Sequence, residues 1–195
     1  MLKTTALLIE ELRNYANAPN KIKRMADRGE LISITKGLYE TDKNIPGYYV
    51  AASIYGPSYL SFDFALSYYG LIPEAVYSFT SATFDKHKRK EFKNYFGTFT
   101  YRDVPKAVYP YGILLKEENG YYYQIATPEK ALCDKLYSVA PLYSLKILKA
   151  FLFEDLRIDE TEFAKLNKED IFELAGLYGS TNVKLLAKYL GGKNE

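Results

Sequence analysis

APNKIKRMADRGELISITKGLYE, residues 18–40, holds a helix, its stop and a hairpin in one run, and its reading decides how the rest of the chain divides. Asn17 stands where a helix cap belongs, and Pro19 falls in the first turn, where its missing N–H would have had no helical partner. Gly29 is the stop signal of a helix running from about Ala18 to Arg28. Beyond it, Leu31, Ile32 and Ile34 precede Thr35-Lys36-Gly37, and Leu38 and Tyr39 follow, which predicts two short apolar strands joined by a Gly-containing turn. On a wheel of about 100° per residue, Ile22, Met25, Ala26 and Gly29 cluster on one side, while Asn17, Lys21, Arg24 and Arg28 cluster on an adjacent one. One side packs and the other is basic.

Working toward the N-terminus, Leu7, Leu8, Leu12 and Tyr15 show a rough 3.6-residue period, and Asn14 to Asn20 is polar with a proline, so a first helix and a turn precede the second. Helix, turn, helix and hairpin is the order of a winged helix. Only Met1 to about Thr5 precedes the first helix, where a standard winged helix carries another one. The module is therefore abbreviated, and its missing apolar cover is expected from the rest of the chain.

Between Arg13 and Lys36, six Lys+Arg face only Asp27 and Glu30, a local charge of +4 in a chain whose total is +2. In a winged helix the second helix enters the major groove. Asn20 and Lys21, at its start, are the candidates for base edges; Lys23, Arg24 and Arg28 are the candidates for phosphates, and Lys36 sits at the wing. The alternative is a solvated basic face of a small helical module.

Toward the C-terminus, Asp42 to Gly47 packs Asp, Lys, Asn, Pro and Gly into six residues, which places a linker at 42–47 between a module at 1–41 and a larger unit at 48–195. The larger unit predicts helices at Tyr48 to Tyr55 and at Phe62 to Tyr69, the second opened by Ser61 and closed by Gly70. Strands follow at Val76 to Ala82, Gly97 to Arg102, Val108 to Leu115 and Tyr121 to Ala126. Thr127 and Pro128 then open a helix with a Leu132, Cys133, Leu136 and Val139 stripe. Further helices are expected near Tyr143 to Phe153, Lys168 to Tyr178 (cap Asn167) and Asn182 to Leu190 (cap Ser180). The expected class is α+β: an abbreviated winged helix-turn-helix, then an α+β domain with a small, mostly antiparallel sheet and C-terminal helices.

Composition narrows the function. With 48% hydrophobic and 26% charged residues the chain is of ordinary globular type. Its apolar runs are too short to span a membrane and no signal peptide is evident, so a cytoplasmic address is expected. Cys133 and His87 are the only residues of their kinds. One Cys and one His leave little for a zinc site or a nucleophile–His pair, so no metal or cofactor is expected. Asp63, Asp103, Glu129 and Asp134 have no metal-binding spacing. No Gly-x-Gly-x-x-Gly or P-loop occurs. Gly179-Ser180 lacks the paired carboxylates that a nucleotidyltransferase start would need, so the chain reads as a non-enzyme. Twenty Tyr and no Trp fit either an aromatic binding surface or A/T-rich codon usage. A second basic cluster, Lys86-His87-Lys88-Arg89-Lys90 with Lys93, reads as a loop or hairpin tip. Lys86, Lys88, Arg89 and Lys90 there are candidates for a partner or anion contact, and equally for a charged end that protects a sheet edge.

Several blocks together resemble one known family. They are Arg28-Gly29-Glu30-Leu31 with Lys36-Gly37-Leu38-Tyr39, Tyr55-Gly56-Pro57-Ser58-Tyr59-Leu60-Ser61-Phe62, and Ala65 through Glu74. Thr80-Ser81-Ala82-Thr83, Gly97-Thr98-Phe99-Thr100-Tyr101, and above all Ile125-Ala126-Thr127-Pro128-Glu129-Lys130-Ala131-Leu132-Cys133-Asp134-Lys135-Leu136-Tyr137 complete the set. In pattern and order the chain resembles the AbiEi-type antitoxins of bacterial abortive-infection toxin–antitoxin systems, often called type IV. The resemblance implies a winged helix that binds inverted repeats in its own promoter and a C-terminal domain that counteracts a nucleotidyltransferase-like toxin; self-association on DNA is expected because one short recognition helix reads only a few base pairs. It implies no catalytic residue. A non-enzymatic alternative is a protein-interaction module whose degenerate winged helix no longer reads DNA.

Overall fold

The computed structural model describes residues 1–192. Its first forty residues form β1 (Leu2–Thr4), α1 (Thr5–Glu11), α2 (Ala18–Asp27), β2 (Ile32–Thr35) and β3 (Leu38–Glu40). The caps follow from the side chains: Thr4 accepts from Leu7 N, and Asn17 Oδ1 accepts from Asn20 N at 3.1 Å. Gly29, at φ +72°, supplies the left-handed residue that ends α2. β1 is an element the sequence did not reveal, since three residues are too few to show an alternation. It pairs antiparallel with β3, giving the sheet order β1-β3-β2.

This small sheet has two cores behind it. Leu8, Ile22 and Leu31 form a small cluster under α1 and α2, with Leu12, Met25, Ala26 and Tyr39 packed around it. Leu2, Ile34 and Leu38 instead join the main core of the molecule. Asn94 Nδ2 also donates to Ile34 O at 3.0 Å. The larger part of the chain thus supplies apolar cover to part of the small sheet.

The segment 42–47 is short but not slack. Asp42 Oδ1 accepts from Asn44 N, and Ile45 packs on the main core. A Cβ on Gly47 would lie 2.3 Å from Phe79 Cε2 and 2.4 Å from the Phe96 carbonyl oxygen. Gly47→Ala is therefore expected to lower stability by about 1–3 kcal/mol through overpacking. A chemical denaturation midpoint identical to wild type would refute this.

The main sheet has the order β6-β7-β5-β4-β9-β8, built from β4 (Tyr59–Leu60), β5 (Ser78–Thr83), β6 (Lys90–Asn94), β7 (Gly97–Asp103), β8 (Ile113–Glu118) and β9 (Tyr121–Ala126). It is mixed: three neighbouring pairs are antiparallel, while β5/β7 and β4/β9 run parallel. Two strands depart from the sequence reading. Val108 to Gly112 is a succession of turns, so only Ile113 onward pairs, and β6 forms from what reads as a charged loop. β6 tolerates that composition because it is an edge strand with one face in water.

Helices pack around this sheet: α3 (Ala51–Ile54, after a 3-10 turn at Gly47–Val50), α4 (Phe62–Tyr68), α5 (Pro128–Tyr137), α6 (Leu145–Ala150), α7 (Glu160–Ala164), α8 (Lys168–Tyr178) and α9 (Thr181–Leu190). The helix expected to Phe153 becomes a π turn at Phe151–Asp155, and α7 was not foreseen. Thr127 and Asn167 cap as expected, whereas Ser180 makes no side-chain cap bond. Ser61 holds the cap position of α4, yet its hydroxyl points to Asp134, and Thr80 Oγ1 from β5 accepts from Phe64 N instead.

Candidate functional site

On α2 the structure brings the sequence candidates to one accessible surface. Asn20, Lys23, Arg24 and Arg28 are exposed and Lys21 is half-buried. Some of their reach is already used: Lys21 Nζ lies 5.1 Å from the centre of the Tyr15 ring, and Arg24 Nε donates to Asn20 O at 3.4 Å. Arg28 Nε is 3.0 Å from Glu30 Oε1. These are exposed contacts of small net energy, so a phosphate can displace them.

Lys36 is exposed at the tip between β2 and β3, beside Gly37 at φ +81°. The tip is pinned rather than free, because Thr5 N donates to Gly37 O at 2.9 Å. A short wing tied to the start of α1 presents Lys36 in a fixed place and does not extend it along a groove.

The second basic cluster separates in space. Lys86 Nζ donates to Gly56 O at 3.1 Å and lies 5.3 Å from the Tyr55 ring centre, contacts that a partner would have to displace. Lys90 is exposed on β6, and Lys93 pairs with Glu91. Lys88 and Arg89 instead line a cleft of about 520 Å³ together with Arg102 from β7. Arg102 was missed because it is remote in sequence; its outward place beside the inward Phe99 and Tyr101 was the available signal.

Asp63, Asp103, Glu129 and Asp134 do not converge. Asp63 pairs with Lys135, Asp103 accepts backbone N–H groups, and Glu129 Oε1 accepts from Asn167 N at 2.9 Å. Asp134 anchors a buried network that the sequence concealed. Its Oδ1 accepts from Lys130 Nζ at 3.1 Å and from Tyr178 OH, and its Oδ2 accepts from Ser61 Oγ at 2.6 Å and Tyr59 OH at 3.0 Å. Lys130 and Asp134 are both fully buried. Burial pulls the Lys130 ammonium below the usual lysine range, against the opposing effect of Asp134. Burial, then the Asp134 charge, raises the Tyr59 and Tyr178 hydroxyls. Cys133 on the same helix is also fully buried, and burial pushes its thiol up. An i, i+4 Lys/Asp pair reads in sequence like any surface pair, so nothing local marked it.

A half-buried second network joins the linker side to the sheet edge. Glu118 accepts from Tyr123, from Tyr48 OH at 2.8 Å, from Tyr49 OH at 3.2 Å and from Tyr68 OH at 3.3 Å. The Tyr123 bond first, then the others, hold its carboxyl below the usual carboxylate range although burial opposes them. Much of the tyrosine excess is thus spent on internal hydrogen bonds and ring packing.

The fold is α+β, with a helix-turn-helix and a three-stranded antiparallel sheet in its first forty residues. No protein-family profile matches the chain, and no curated protein matches it. Among solved structures it is similar to the RV2827C protein of Mycobacterium tuberculosis, at 13% identity and a TM-score of 0.50 over 96% of this chain and 76% of that one. At that identity the likeness speaks to the fold alone. No helix among the described residues is long and apolar enough to cross a membrane.

Proposed function

We propose that the protein is a DNA-binding transcriptional autorepressor and the antitoxin of a type IV-like toxin–antitoxin system, acting without catalysis against a nucleotidyltransferase-like toxin. The observation that carries the DNA-binding half is the exposed face of α2, where Asn20, Lys23, Arg24 and Arg28 stand clear of the fold beside the half-buried Lys21. The antitoxin half rests on the resemblance of the sequence blocks to AbiEi-type antitoxins, and belongs to residues 48–195. From Asp103 to Glu195, twelve Lys+Arg face fourteen Asp+Glu, a balance suited to a protein partner rather than to nucleic acid.

The test is a gel shift against the upstream region of its own gene at several salt concentrations. A Lys21→Ala, Arg24→Ala double variant is expected to bind at least about tenfold more weakly, with the slope of log affinity against log salt reduced by about two units. Wild-type affinity in that variant refutes the repressor reading. Because one recognition helix reads few base pairs, footprinting is expected to show two protected half-sites about one duplex turn, or a multiple of it, apart. A second reading, a protein-contact module that no longer reads DNA, is favoured by Leu7 and Ile9, both exposed on α1. Absence of any shift, with retained rescue of growth against the toxin, would select it.

A further inference from the structure

The cleft between the loop after β5, strand β7 and the end of α5 has the chemistry of an anion site with an aromatic wall. Lys88, Arg89 and Arg102 line it, and none of their side chains makes a hydrogen bond or ion pair with another described residue. Three cationic side chains lining one cleft offer an anion charge-assisted hydrogen bonds, bidentate ones from the two guanidinium groups. The one carboxylate on the wall, Asp103, is engaged elsewhere: its Oδ2 accepts from Lys86 N at 2.8 Å and His87 N at 2.6 Å, and its Oδ1 from Thr83 Oγ1 at 2.6 Å.

Those bonds also fix the loop. Asp85 and His87 adopt φ values of +52° and +54°, a left-handed backbone that non-glycine residues seldom take without surrounding support. The loop that carries Lys88 and Arg89 is therefore held in one shape before any ligand arrives, which lessens the ordering that binding would require. Tyr137, a residue 39% exposed at the end of α5, also lines the cleft. A cleft of about 520 Å³ lies in the range of small-ligand sites.

We propose that this cleft binds a free nucleotide, with its phosphates among Lys88, Arg89 and Arg102 and its base against Tyr137. A duplex is the less suitable ligand here. Its recognition needs a broad positive surface, whereas Lys86 is held by Gly56 O and Tyr55 and Lys93 is paired with Glu91, which leaves Lys90 on β6 and the three cations of the cleft. The site is separate from the α2 surface and does not depend on the DNA-binding reading.

The test is calorimetric titration of the full chain with ATP, with inorganic pyrophosphate and with a short duplex of unrelated sequence, alongside a thermal melt of each variant. Saturable ATP binding is expected, weakened about tenfold by Arg89→Ala, with pyrophosphate weakened in parallel and the melt unchanged. Tyr137→Ala is expected to weaken ATP and leave pyrophosphate unaffected. Tyr137 also touches the Tyr178 ring, so Tyr137→Leu serves if the alanine variant does not fold. The Lys21→Ala, Arg24→Ala variant should bind ATP like wild type. The proposal is overturned if ATP shows no saturable binding at millimolar concentration, or if Arg89→Ala leaves ATP affinity unchanged. It is equally overturned if Arg89→Ala lowers the melt, which would make the cations partners of the α5 carboxyl end, or if duplex binding alone responds to that variant. Loss of ATP binding that ignores Tyr137 removes the nucleotide in favour of bare phosphate.

Discussion

Asp134→Ala is expected to lower the free energy of unfolding by about 3–5 kcal/mol at neutral pH, because it leaves Lys130 buried without its counter-charge. In the native protein four donors converge on that carboxylate, and Lys130 has no exposed surface through which water can replace it. Tyr178 OH at 2.7 Å and the faces of Tyr59 and Tyr178 remain for the amine, but none of them carries a full charge. The sign of the pH dependence follows from the depressed lysine. Between its folded pKa and its ordinary value the unfolded chain holds the extra proton, so stability rises with pH across that window. Loss of Asp134 widens the window downward, and the variant should recover part of its stability as pH rises toward the ordinary lysine range. A Lys130→Met, Asp134→Leu double variant removes both charges and should be far less destabilised than the single one. Urea unfolding of the three proteins at neutral and alkaline pH measures this. A double variant as destabilised as Asp134→Ala would show that the lost counter-charge is not the cause.

Ile22→Ala is expected to remove about 2–5 kcal/mol from the N-terminal unit, which is more than a core of three buried residues can lose and stay ordered. It shares that small cluster with Leu8 and Leu31, under the partly buried Leu12, Met25, Ala26 and Tyr39. Hydrogen exchange should show the amides of α1 and α2 losing protection while those of β5 and β7 keep theirs, and promoter binding should fall with them. Ile34→Ala provides the contrast, since Ile34 lies in the main core although it is only twelve residues away. That variant should lower protection in both regions. Uniform loss in Ile22→Ala would mean that residues 1–40 and the rest unfold as one unit, contrary to the proposed division at 42–47.

The α2–β3 run was legible because its signals are local. Asn17, Pro19, Gly29 and Gly37 each act within a few residues of themselves, through a cap, a first-turn φ, a left-handed stop and a tight turn. The same holds for Thr127-Pro128 at the start of α5 and Asn167 at the start of α8, and for the exposed basic side of α2, which follows from helical period alone. These determined the α+β class, much of the element order and the side of α2 left exposed. Non-local arrangements were not legible. β1 is defined only by the partner strand β3, the parallel pairs β5/β7 and β4/β9 only by how the chain crosses the sheet, and the cap of α4 is lent by Thr80 from a neighbouring strand. Lys130 and Asp134 illustrate the limit most clearly: their spacing is that of a solvated helix pair, and it is the packing of β4 and α8 that buries them and brings Tyr59 and Tyr178 to their charges. Arg102 likewise reaches Lys88 and Arg89 only because β7 and the loop after β5 are adjacent. Propensity and period are properties of a few consecutive residues, whereas burial, charge pairing and cleft formation depend on which distant segments share a volume, and that was decided by the tertiary structure alone.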